Sequence, residues 1–202
     1  MPNSCMTTRR LLFLMAGATV LTGCARNRFE VGPVVIGGGT VRPDMTIMQA
    51  IAASANHGRL AEALRTTGLD APLSGPGPFT LLAPTDTAFE LIRPKSEGGR
   101  VTGNPGILKR TLRGHILPAQ VSGADIAAGI EQSGGETKVL GLNGLPVTFD
   151  REGGIFRAYD VRGRRAQLGP MDAIASNGLI HGIDDVLLLP ESEESAAEKV
   201  SP

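Results

Sequence analysis

Three histidines (His57, His115 and His181), two cysteines (Cys5 and Cys24) and scattered serines and aspartates are the side chains in this chain that could carry chemistry. Zinc sites need ligands close together, such as a histidine pair one helical turn apart. The three histidines stand far from one another and none has such a companion, so no metal and no cofactor is expected. A serine hydrolase would set its nucleophile on a sharp Gly-x-Ser-x-Gly turn. No such motif occurs, and Ser74 in PLSGPG reads as a loop serine. His181 has the most unusual setting, inside SNGLIHGIDDVLLLP from Ser176 to Pro190. In an extended segment Leu179, His181, Ile183, Asp185, Leu187 and Leu189 share one face, which predicts a buried, hydrogen-bonded histidine. The pair Asp184-Asp185 interrupts that apolar run, and a bulge turning both carboxylates outward is expected.

The cysteines lead to a different chemistry. Arg9 and Arg10 precede LLFLMAGATVLTGC, an apolar run too short to span a bilayer, which is the layout of a secretory signal. Its end, Leu21-Thr22-Gly23-Cys24, resembles the lipobox of bacterial lipoproteins. The resemblance implies a signal peptide over 1–23, cleavage before Cys24 and attachment of lipid to its sulfur. Membrane attachment through that lipid follows, with outer-membrane sorting in a Gram-negative cell because Ala25 stands next. Thr8-Arg9-Arg10 also resembles a twin-arginine signal, which leaves the export route open. Cys5 would leave with the signal, so the mature chain would keep no free thiol.

The elements that must position these residues show in the rest of the pattern. Twenty basic residues balance twenty acidic ones, and the chain has no Trp and one Tyr, which argues against a nucleic-acid partner. Residues 24–44 read as a Gly/Pro-rich tether with room for one short strand at Val34 to Ile36. Residues 191–202, ESEESAAEKVSP, read as an acidic, disordered tail. Between them Thr46 and Gln49 form a capping box for a short helix, and GRLAEALRTTGL predicts a second helix stopped at Gly68. Phe79 to Ala83 predicts a strand, followed by a helix capped by Thr85 or Asp86. A further helix is expected from about Ile107 to Arg113 and a short strand around His115 to Leu117. Asn143-Gly144 and Gly153-Gly154 mark hairpins. Helices first and antiparallel strands later make an α+β domain.

Three stretches, FTLLAPTDTAF at Phe79 to Phe89, LKRTLRGHILPAQVSGADI at Leu108 to Ile126, and SNGLIHGIDDVLLLP, together resemble a fasciclin domain spanning 45–190. The resemblance implies two β-sheets forming a wedge with helices packed beside it, and a surface role in adhesion or protein contact without catalysis. Thr85, Asp86, His115, Asn177 and His181 are the motif residues. The first and third stretches lie side by side in the family, so Thr85 and Asp86 are the expected partners of His181. Two features depart from the family. Gly114 precedes His115 where many members have tyrosine, and in Pro170-Met171-Asp172-Ala173-Ile174 only Asp172 matches the integrin-contacting segment of animal members. Asp172 and the arginines Arg162, Arg164 and Arg165 are the candidate contact residues, the arginines meeting anionic lipid or an acidic partner unless they are solvated hairpin tips. The expected protein is a monomeric, non-enzymatic domain on a bacterial cell envelope that contacts an unidentified envelope or matrix protein. A carrier of an apolar small molecule is the alternative.

Overall fold

The structure is a computed structural model and describes residues 34–36, 38–92 and 102–190. The expected signal peptide, the candidate lipidation residue Cys24 and the expected tail lie outside these residues. A hairpin of β1 (Val34–Ile36) and β2 (Gly39–Val41) comes first, then helices α1 (Ile47–Ala53), α2 (Gly58–Thr66) and α3 (Asp70–Ser74). Strand β3 (Phe79–Pro84) leads into α4 (Asp86–Leu91); α5 (Pro105–Gly114), β4 (Ile116–Leu117) and α6 (Gly123–Ser133) follow. The rest is β: β5 (Glu136–Leu140), β6 (Pro146–Glu152), β7 (Ile155–Tyr159), β8 (Arg165–Gln167), β9 (Ala173–Ala175) and β10 (Gly178–Ile183).

Local signals set most helix ends. Thr46 and Gln49 close the capping box of α1, and Gly68 takes φ +69° after α2. Asn104 caps α5 by accepting from Gly106 N–H and Ile107 N–H, with Pro105 in the first turn. Helix α6 escaped the sequence reading although both ends carry signals: a Ser122–Asp125 capping box and Gly134 at φ +78°. Its interior Ala and Gly residues give a weak apolar stripe, with only Ile126 and Ile130 buried.

One four-stranded sheet runs β4-β3-β10-β9 and the other β5-β6-β7-β8. The second is an antiparallel meander, turning through Gly141–Leu145, with Asn143-Gly144 inside, and through Gly153-Gly154, both at positive φ. In the first sheet β10 pairs parallel with β3, from Gly178 opposite Phe79 to Ile183 opposite Pro84. This corrects the expectation of antiparallel strands throughout the second half. It also explains the unbroken apolar character of FTLLAP and GLIHGI, since parallel strands are covered on both faces. All six residues of β10 are buried. Leu81, Ala83 and Ile180 join a core shared with the helices, whereas Leu82, Leu117 and Ile183 join a second core with Phe149, Ala158 and Ala166 of the other sheet. The first sheet is therefore a wall between two cores.

Two expected boundaries move. The supposed tether ends before β1, because Ile36 and Val41 are buried in the helix-side core and the Ser54 hydroxyl donates to the Ile36 carbonyl at 3.1 Å. The Asp184-Asp185 pair sits on no bulge: the strand stops at Ile183. Exposed Asp184 accepts from Gln167 N–H at 2.7 Å, and half-buried Asp185 meets Arg164 at 2.6 Å.

Candidate functional site

The turn between β9 and β10 ends on Asn177, whose side chain joins three segments. Its Oδ1 accepts from Ile47 N–H at 2.9 Å, a first-turn donor of α1 that the Thr46–Gln49 box does not reach, and its Nδ2 donates to the Leu73 and Gly75 carbonyls, both at 2.8 Å. Gly178 beside it has no room for a side chain, because a Cβ there would lie 1.9 Å from the Phe79 carbonyl oxygen. Asn177 was expected as a turn residue, and nothing local in the sequence shows these partners.

His181 is fully buried, as expected, with other partners. Its Nδ1 accepts from Asp172 N–H at 3.0 Å and its Nε2 donates to the Val121 carbonyl at 2.8 Å. The pairing with Thr85 and Asp86 does not form. Parallel registry does bring the first and third motif stretches together, and Thr85 N–H donates to the Ile183 carbonyl. The Thr85 hydroxyl instead caps α4 at Ala88 N–H, and the Asp86 carboxylate reaches across to Arg59 N–H at 2.8 Å, capping α2, whose own leading residue His57 makes no side-chain cap. Asp172 sits at φ +59° and its Oδ1 accepts from Gly123 N–H at 2.8 Å in the first turn of α6. This carboxylate, the one match to an integrin-contacting segment, is committed to the fold.

His115 is likewise buried, its Nδ1 donating to the Thr111 carbonyl and its Nε2 accepting from Leu187 N–H, each at 3.0 Å. The preceding Gly114 makes room for the β5–β6 turn: a Cβ there would come within 2.7 Å of Asn143 Nδ2. The space that tyrosine would need is filled by Asn143.

Ser54 and His57 form a hydroxyl–imidazole pair at 2.7 Å, which sequence reading missed. A Ser–His contact is half of a nucleophilic site. Here the hydroxyl donates to the Ile36 carbonyl, so it accepts from His57 Nδ1–H, the reverse of base activation. Both residues are buried. Burial pushes all three imidazoles below their ordinary pKa, outweighing the carbonyl contacts that pull them up. Among the described residues no group of three His, Cys, Asp or Glu is placed to hold a metal ion.

Of the candidate arginines, Arg162 and Arg164 are not solvated tips. Arg164 grips Asp185, Arg162 Nε donates to the Leu189 carbonyl, and the Asp160 side chain organises the turn by accepting from Arg162 N–H and Arg164 N–H. On the outer face of the sheet Asp150 receives Arg157 at 2.8 Å and the Tyr159 hydroxyl, which together hold its carboxyl below the usual range. Arg165, exposed, lies 5.5 Å from the Tyr159 ring centre. Among the described candidate residues Arg165 alone is exposed, and it forms a ladder on this face with the half-buried Arg157 and Tyr159. A separate cleft of about 420 Å³, lined by Arg59, Glu62, Ala63, Thr66, Phe89, Thr102 and Leu108, opens between α2, α4 and α5. No helix among the described residues is long and apolar enough to cross a membrane.

Comparison with known proteins fits this geometry. The fasciclin domain model matches residues 55–190. Transforming growth factor-beta-induced protein ig-h3 of Sus scrofa is 33% identical over 154 residues, covering 75% of this chain and 20% of its own length. Protein sll1483 of Synechocystis sp. is 31% identical over 147 residues, covering 72% of this chain and 74% of its own. This chain thus spans about a fifth of the animal relative and most of the cyanobacterial one. A solved pair of FAS1 domains from the insect cell adhesion molecule fasciclin I superposes with a TM-score of 0.61 at 16% identity, over 75% of this chain and 53% of that one. The chain belongs to the fasciclin domain family.

Proposed function

We propose that this chain is a lipid-anchored protein of a bacterial cell envelope whose fasciclin domain acts as a non-catalytic contact module. The observation that carries the reading is the commitment of the motif side chains, His115, Asn177, His181, Thr85, Asp86 and Asp172, to bonds that hold the fold. What remains for a partner is the outer face of the second sheet, where tyrosine and arginine, the residues richest in binding hot spots, stand together. The structural neighbour's description as a cell adhesion molecule supports the same class.

The anchor reading rests on Leu21 to Cys24. Two or three acyl chains, at about 0.8 kcal/mol per buried methylene, hold a protein on a membrane essentially permanently. Wild-type protein is expected in the membrane fraction, with a lipid-sized mass increment on the peptide that begins at Cys24, and Cys24→Ala should move it to the soluble fraction. Wild-type protein found soluble and unmodified would end this reading. The contact role is tested by attachment assays on cells carrying a Tyr159→Ala, Arg165→Glu variant that melts like wild type. Reduced attachment is expected; attachment equal to wild type counts against the sheet face.

The cleft beside Phe89 favours a second reading, a carrier of an apolar small molecule, since its volume lies in the range of ligand pockets. Native mass spectrometry of the purified protein separates the two, because a carrier retains a stoichiometric ligand.

A further inference from the structure

Residues 184–189 follow β10 and lie against both cores without forming a strand. Val186, Leu188 and Leu189 belong to the helix-side core and Leu187 to the core between the sheets. Side chains hold this strap. Val186 N–H donates to Asp185 Oδ1 at 2.7 Å, Leu187 N–H to His115 Nε2 at 3.0 Å, and Leu188 N–H to Asp160 Oδ2 at 2.8 Å. Arg164 adds its grip on Asp185, and Arg162 its bond to the Leu189 carbonyl. A segment fixed in this way can open without unzipping a ladder, so its opening free energy can lie well below that of the sheets.

We propose that this strap is a proton-released latch with His115 as its catch, so that acidification frees residues 185–189 while both sheets stay folded. The bonds fix the tautomer. Nδ1 faces a carbonyl and carries the proton, so Nε2 must be bare to accept from Leu187. A protonated ring donates from both nitrogens and would set N–H against N–H. The groups around it come from four sides. Helix α5 presents the Thr111 carbonyl, and the strap presents Leu187 N–H and Asp185. The β7–β8 turn presents Asp160, which also accepts from Arg162 N–H and Arg164 N–H, and β3 offers Leu82 N–H to the His115 carbonyl. Asp160 and Asp185 favour the charged ring while burial opposes it more strongly, which places release on the acid side of neutrality. Thr111 Oγ1 is buried without a partner, beside a cavity of about 20 Å³ lined also by Asp160, Leu187, Leu188 and Leu189, which is room for one water.

His181 provides the contrast. It too accepts a backbone N–H, but it is itself a residue of β10, paired with Leu82 of β3, whereas His115 and the strap it holds lie outside any strand.

The test is amide hydrogen exchange by NMR on the full chain at neutral pH and at about pH 5, expressed as protection factors so that intrinsic rates cancel. Protection of Leu187 and Leu188 should fall about tenfold or more further than that of Leu81 and Ile180, which follow the stability of the whole domain. The Leu187 amide resonance should move with the titrating His115 ring. His115→Gln keeps an acceptor for Leu187 but does not titrate, so strap protection should become flat over the same range. A strap that still opens on acidification in His115→Gln would assign the sensing to the carboxylates and overturn the proposal. A loss of protection in the strap no greater than that in the sheets would overturn it equally. If His115→Gln fails to fold, the wild-type titration decides, since a Leu187 amide indifferent to the His115 ring excludes the latch.

Discussion

The two four-stranded sheets solve opposite problems. The first, β4-β3-β10-β9, lies between two cores, and side chains in and beside its strands meet unpaired backbone groups from far along the chain: Asn177 in the first turn of α1, Asp172 in that of α6, His181 at the Val121 carbonyl. The second, β5-β6-β7-β8, buries one face on Phe149, Ala158 and Ala166 and leaves the other to solvent under paired charges. Polar residues in a buried wall are structural because an unmatched group there costs about 1–3 kcal/mol. On an open face the same residue types are worth little to stability and remain available for contact. Chemistry-bearing residue types thus mark opposite roles in the two sheets.

The sharpest way to break this contrast is Gly178→Ala. With Phe79 in the way of any Cβ, the parallel pairing must shift, and a loss of about 4 kcal/mol or more, or failure to fold, is expected in urea unfolding. Next in size is a chain that begins at Pro43. It lacks Ile36 and Val41, whose burial stabilises the helix-side core by roughly 1.5–3 kcal/mol each, so its unfolding midpoint should fall clearly below that of the full chain. An unchanged midpoint would return β1 and β2 to the tether.

Acid should act on the wall before the open sheet. His57, His115 and His181 all have folded pKa values below their ordinary 6.5. A histidine depressed in the folded state contributes stability above its unfolded pKa, and that contribution is lost as pH falls through the folded value. Stability should therefore be level near neutrality and decline below about pH 6.5, before carboxylates such as Asp150 titrate. A midpoint that stays constant down to the carboxylate range would show that the imidazoles are not held neutral by their bonds. The smallest effect belongs to the open face. Asp150→Asn loosens Arg157 and Tyr159, yet it should change stability by no more than about 1 kcal/mol, because both partners keep solvent access. A larger loss would make the ladder part of the framework and remove the contrast between the sheets.

Much of the framework was legible from short-range pattern. The capping box at Thr46, the stop at Gly68, the Thr85 cap and the Gly153-Gly154 turn are all decided within about four residues, where side chains and backbone meet whatever the rest of the chain does. Helix α6 was missed although its ends were readable, because its small residues give little periodicity. The hairpin at Val34 was underweighted because its two buried residues, Ile36 and Val41, acquire their core only from α1 and the wall.

The family, the order of helices and strands, and the burial of His181 were determined by the sequence itself, since each rests on local periodicity or on a contiguous motif. What His181 and Asp86 bind, why Gly114 stands beside His115, and the role of Asn177 were decided only in three dimensions. Asn177 and Ile47 are 130 positions apart, and Val121 lies 60 from His181. No pattern in a single sequence encodes such a pair. These partners are chosen by which unpaired backbone groups the parallel joining of β3 and β10 leaves within reach, and that is settled when the wall forms.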